Sequence, residues 1–91
     1  MKIIKSTKFA KVYKKLHTNQ LHDVNVAIRK IIENPGIGEQ KIGDFGWLRV
    51  YKFKMLKQLT LIGYSLTNDG ELILTLIAMG SHENFYRDLK N

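Results

Sequence analysis

The chain has 91 residues and no cysteine, and its fifteen Lys and Arg against eight Asp and Glu give it a net charge of +7. That length suits one domain, spanning 1–91, and a chain of this size buries roughly 60–65% of its unfolded surface, which excludes a second core but not a modest first one. The composition further excludes disulfides and thiolate metal sites, intrinsic disorder at 44% hydrophobic residues, a membrane span of about 20 apolar residues and a signal peptide with an apolar h-region.

The expectation is a soluble cytoplasmic protein whose positive charge answers an anionic partner. The charge is also segregated. Residues 1–22 hold six lysines and no acid, and residues 45–68 hold Arg49, Lys52, Lys54 and Lys57, again without an acid.

In chain order, "KIIK" (2–5) reads as a short β-branched strand. Ser6 or Thr7 caps a helix in which Phe9, Val12, Tyr13 and Leu16 form one apolar stripe. The pattern resets at "HTNQ" (17–20). A second helix then turns Leu21, Val24, Ala27, Ile28, Ile31 and Ile32 inward as far as Glu33, where "NPG" stops it. The glycine-punctuated loop 36–46 is not a phosphate loop, because no G-x-x-x-x-G-K-[ST] occurs in it.

From Trp47 the period becomes two. "WLRVYKFKM" (47–55) sets Trp47, Arg49, Tyr51, Phe53 and Met55 against Leu48, Val50, Lys52 and Lys54. "QLTLIGYSL" (58–66) is the next strand. "TNDG" (67–70) turns into "ELILTLIAM" (71–79), whose near-continuous apolarity predicts an interior strand. Ser81 is a candidate cap for a last short helix. The order β-α-α-β-β-β-α describes an α+β fold, a small antiparallel-rich sheet with a helical hairpin on one face and a short C-terminal helix.

Three groups of side chains bear on chemistry. Arg49, Lys52, Lys54 and Lys57 form an acid-free cationic tract, and of these Arg49 has the planar fork suited to phosphate. His82 leaves the apolar strand just after Gly80, where a neutral imidazole can serve as a base. Phe85 pairs with Leu89 as core. Tyr86, pointing elsewhere, is free to stack on a base or donate a proton, with Arg87 adjacent. Trp47 is expected in the core or on its rim. The carboxylates show no metal-ligand spacing, so no metal or other cofactor is expected.

These features, above all "GSHENFYRDL" at the end, with "KIIKSTKFAKVYKKL" and the passage from "VNVAIRKIIENPG" into "GWLRVYKFK", resemble the RelE/ParE superfamily of bacterial type II toxins, in its ParE-like and YafQ-like branch. The resemblance implies a toxin neutralised by a cognate antitoxin. It further implies an endoribonuclease (mRNA interferase) that cuts mRNA on the ribosome without a metal and so inhibits translation, or alternatively a non-enzymatic inhibitor of DNA gyrase. By the same resemblance His82 matches the catalytic histidine, Arg49 the basic residue after the glycine-aromatic turn and Phe85 the aromatic that follows the histidine. On chemical grounds Tyr86 joins His82 and Arg49 in catalytic roles, and Lys52, Lys54, Lys57, Phe85 and Arg87 are assigned to holding substrate. The chain departs from many RelE-like members at "LTLIGY", where they carry a further arginine. A nucleic-acid-binding module without toxicity is the third reading. The cutting mechanism requires His82 and the strand cations to meet in one exposed hollow.

Overall fold

The computed structural model describes residues 1–90; Asn91, the last residue of the expected domain, lies outside them. The elements run β1 (Lys2–Lys5), α1 (Thr7–Lys14), α2 (Thr18–Glu33), β2 (Glu39–Gln40), a 3-10 turn (Gly43–Phe45), β3 (Arg49–Met55), β4 (Gln58–Asn68), β5 (Leu72–Ser81) and α3 (Phe85–Lys90). The expected order stands, with β2 and the 3-10 turn added from the glycine loop. The sheet is ordered β1-β5-β4-β3-β2. β1 pairs in parallel with β5, and every other pairing is antiparallel.

Local chemistry explains the boundaries. Ser6 caps α1 by accepting from the Phe9 N–H at 3.0 Å, and its own hydroxyl donates to the Ile77 carbonyl at 2.6 Å, fixing the helix start to β5. His17 occupies the cap of α2, where the Gln20 side chain accepts from its backbone N–H at 2.9 Å. The last strand runs to Ser81, so Ser81 does not cap the final helix. The chain instead turns through 82–84, and α3 starts at Phe85 with the Asn84 carbonyl accepting from Asp88.

Both sheet faces are covered. Phe9 of α1 and Val24, Ala27 and Ile31 of α2 pack on Ile62, Tyr64, Leu74, Leu76 and Met79, with Tyr51, Phe53 and Met55 at the margin. On the opposite face Phe85 joins Leu48, Val50, Leu61 and Ala78. One strand serves both cores through a bulge. Gly63 pairs with Ala78 but Tyr64 with Leu76, so Ile77 is an extra residue in β5. It switches the alternation: Leu74, Leu76 and Met79 face the helices while Ile77 and Ala78 face α3. That is the physical reason the strand reads as unbroken apolar sequence.

Candidate functional site

Arg49 faces the helices and the loop that follows them. Its guanidinium donates to the Gly38 carbonyl at 2.9 Å, to the Gly36 carbonyl at 3.5 Å and to Gln40 Oε1 at 3.4 Å. Its cross-strand neighbour Tyr64 holds the same loop from beneath. The Gly38 N–H donates to the Tyr64 hydroxyl at 2.9 Å, which donates to the Pro35 carbonyl at 2.7 Å. Tyr64 is fully buried, and burial pushes its phenol above the ordinary range, against the smaller opposing pull of the Gly38 N–H and the Arg49 charge. A Cβ at Gly38 would fall 2.6 Å from the Tyr64 hydroxyl, so this close approach requires glycine. The planar fork that suits a phosphate is here spent on carbonyls.

The register decides which cation lies nearer His82 along the strands. Lys54 pairs with Leu59, and the Leu59 carbonyl accepts from the His82 N–H at 3.2 Å. Leu59 is thus the cross-strand partner of Lys54 and is bonded to the main chain of His82 just past the end of β5. Lys52, Leu61 and Gly80 form one row across three strands. Strand alternation carries the Lys52 and Lys54 side chains to the face opposite Arg49. From Leu59 to Tyr64 is five residues, about 17 Å of strand, so the His82 main chain meets the start of β4 while Arg49 pairs with its middle. Along β4 the His82 main chain thus lies nearer the Lys54 position than the Arg49 position, and among the described residues no cation lines the hollow at His82.

At the His82 end an open hollow of 280 Å³ is lined by Gln58, Leu59, Ser81, His82 and Glu83. The β3–β4 turn stands beside it. Leu56 and Lys57 have φ of 50° and 73°, the left-handed region that a two-residue hairpin demands and that glycine or asparagine usually fills. Asp23 of α2 stabilises this turn, its carboxylate accepting from the Leu56 N–H at 2.9 Å. Sequence reasoning missed Asp23, because an interaction 33 positions away leaves no local signal.

The remaining candidates separate. Phe85 is 2% exposed and fills the space over Gly63, so it belongs to the core and is not free to hold a ligand. Tyr86 meets Phe85 edge-on at 5.0 Å and Phe45 at 6.2 Å between ring centroids, on the side of the 3-10 turn rather than beside His82. Lys41 Nζ lies 5.6 Å from the Tyr86 centroid and 2.9 Å from Glu39. The Tyr86 hydroxyl, and after it the Glu39 carboxylate, holds the Lys41 ammonium above its usual range. Arg87 is exposed and donates to Asn84 Oδ1 at 2.7 Å, beside Asp88. Trp47 is 53% exposed and sits outside both cores, a departure from the buried position expected of it.

A second groove runs between α2 and β3, with Val26, Phe53, Lys30 and Lys54 among its lining residues. β2 pairs only with Arg49 and Val50, so among the described residues β3 has a free edge from Tyr51 to Met55. No helix of the described residues is long and apolar enough to cross a membrane.

Residues 3–90 match the model of a family described as the ParE-like toxin of type II bacterial toxin-antitoxin systems. A chain in the crystal structure of the intact E. coli RelBE toxin-antitoxin complex is similar in fold, with a TM-score of 0.67 and 18% identity over 88% of this chain and 94% of that one. No curated protein matches the sequence.

Proposed function

This chain belongs to the ParE-like toxin family of type II bacterial toxin-antitoxin systems, and from that premise we propose that it is an endoribonuclease that cuts mRNA on the ribosome. The observation that supports this reading is the open hollow at His82, whose main chain is bonded to Leu59, the cross-strand partner of Lys54. In the reaction His82 takes the proton of a ribose 2′-hydroxyl, and the 2′-oxygen attacks the adjacent phosphorus. The bond to the 5′-oxygen breaks, leaving a 2′,3′-cyclic phosphate and a 5′-hydroxyl. Lys54 and Lys52 face the charge that builds on the phosphoryl oxygens, and one of these ammonium groups supplies the proton to the leaving 5′-oxygen. A placed base contributes about 10²–10⁴-fold, and the electrostatic contribution is often larger. Lys57 and Gln58, at the rim, position the strand. Arg49 organises the loop and takes no part in the reaction. The test is the appearance of 5′-hydroxyl ends in ribosome-bound mRNA when the protein is expressed.

The second reading is a non-enzymatic inhibitor of DNA gyrase. It is favoured by the commitment of Arg49 to carbonyl groups, which removes the strongest phosphate clamp from the His82 face. Double-strand breaks trapped on DNA, with mRNA intact, would mark it.

The similar E. coli chain was solved together with an antitoxin. For this chain the seat proposed for a cognate antitoxin is the free β3 edge and the groove under it. An extended acidic segment there would complete the sheet by strand addition, bury Phe53 and neutralise Lys30 and Lys54. Lys54 lines this groove, so an antitoxin seated there would withdraw it from the proposed reaction.

A further inference from the structure

We propose that Trp47 is a stacking platform for an unpaired nucleotide of the bound single strand, away from the bond that is cut. This inference rests on the endoribonuclease reading for its ligand. Its evidence is separate from His82. Trp47 is the protein's one tryptophan and is 53% exposed. Its indole N–H is already satisfied, donating to the Asp44 carbonyl at 3.1 Å. The polar edge of the ring is thus engaged within the loop and the bare π-face remains. That hydrogen bond and a tilted contact with Phe45 at 6.4 Å hold the ring in place, so stacking on it costs little further ordering.

The ring belongs to an aromatic group that leads from the surface into the second core. Rings follow one another from Trp47 to Phe45, from Phe45 to Tyr86 at 6.2 Å and from Tyr86 to Phe85 at 5.0 Å, where Phe85 lies over Gly63 between β3 and β5. Cations flank this run: Lys41 beside Tyr86, and Lys52 close enough to pull on the Glu39 carboxyl. An exposed aromatic face with lysines close by is what a single strand with a charged backbone and flat bases requires. Ile42, 91% exposed in the same loop, widens the apolar surface next to it.

The sole tryptophan makes the test site-specific. The full-length protein is titrated at physiological salt with a short single-stranded deoxyribonucleotide, which lacks the 2′-hydroxyl and cannot be cut by the proposed reaction. Saturable quenching of Trp47 emission is expected. In fluorescence anisotropy with the labelled oligonucleotide, Trp47→Ala should bind about tenfold more weakly and Trp47→Phe nearly as well as wild type. Thermal unfolding of each variant confirms that the fold is kept. The proposal is overturned if anisotropy shows binding while the emission stays constant, or if Trp47→Ala binds as tightly as wild type. It is equally overturned if that variant keeps the oligonucleotide but loses a protein partner, which would make the patch a protein contact. Mapping mRNA ends with His82→Ala reports on the cleavage reading independently, so the two can fail separately.

Discussion

Phe85 lies so close to Gly63 that a Cβ on the glycine would come within 2.7 Å of the phenylalanine Cζ. The first residue of α3 is thereby keyed into the middle of β4, and the six-residue helix keeps its place over the second sheet face through this one ring and its neighbours. The Lys8 ammonium donates to the Asp88 carbonyl and ties the same helix to α1.

Gly63→Ala should therefore act as an overpacking change. Phe85 must shift, and the protein should lose about 1–3 kcal/mol. Phe85→Ala, which leaves a void instead, should cost about 3–5 kcal/mol. Urea denaturation measures both. Near-wild-type stability for Gly63→Ala would mean that α3 is not held by this contact.

Tyr64→Phe removes a hydroxyl that serves both Gly38 and Pro35 and should cost about 1–3 kcal/mol. It should also change the alkaline limb of the stability curve. Burial raises the phenol's pKa in the folded state above its ordinary value of 10.0, so the unfolded chain releases that proton first. The stabilisation is complete below pH 10.0 and falls as pH rises toward the folded value. Wild type should lose stability in that window more steeply than Tyr64→Phe, measured by denaturant midpoints at successive pH values. Parallel curves would contradict the assignment.

Arg49→Lys should behave almost like Arg49→Ala, because a single ammonium cannot reproduce a planar fork shared among Gly36, Gly38 and Gln40. Both should lower stability by about 1.5–3 kcal/mol, the range for hydrogen bonds made by a charged group. The 36–40 loop should exchange its amides faster in both. A lysine variant with wild-type loop protection would show that charge alone suffices.

Lys57→Gly separates stability from binding at one residue. It relieves a left-handed conformation that costs a side-chain-bearing residue about 1–2 kcal/mol, offset by glycine's larger loss of freedom of about 0.5–1 kcal/mol. A stability gain of up to about 1.5 kcal/mol is expected. If Lys57 neutralises a phosphate, the same variant should bind RNA more weakly, and its log–log salt slope should fall by about one. An unchanged slope would leave Lys57 as a turn residue.

How far the sequence could be read follows from which interactions are local. Period-three-and-four and period-two patterns placed the helices and strands, and alternation in β3 correctly put Arg49 and Lys52 on opposite faces. The strands read over 47–55 and 58–66 left Leu56–Lys57 between them, but nothing in the pattern showed the left-handed geometry of that turn. That turn sets the β3–β4 register, which places Arg49 opposite Tyr64, well along β4 from the Leu59 carbonyl that His82 bonds. Neither residue there is the glycine or asparagine that announces such a turn. The bulge at Ile77 was hidden for a related reason, since an apolar residue inserted in an apolar strand changes no pattern. Arg49 read as a phosphate clamp because its actual acceptors are main-chain carbonyls of a glycine loop, which sequence does not display.

The most direct test of the account is end-mapping of ribosome-bound mRNA after expression of wild type, His82→Ala and Arg49→Ala, with soluble, folded protein verified for each. The account predicts 5′-hydroxyl cuts from wild type, their loss by about 10²–10⁴-fold in His82→Ala, and their persistence in whatever fraction of Arg49→Ala is folded. Cuts that survive without His82 but vanish without Arg49, or a wild type that arrests growth with its mRNA intact, would contradict it.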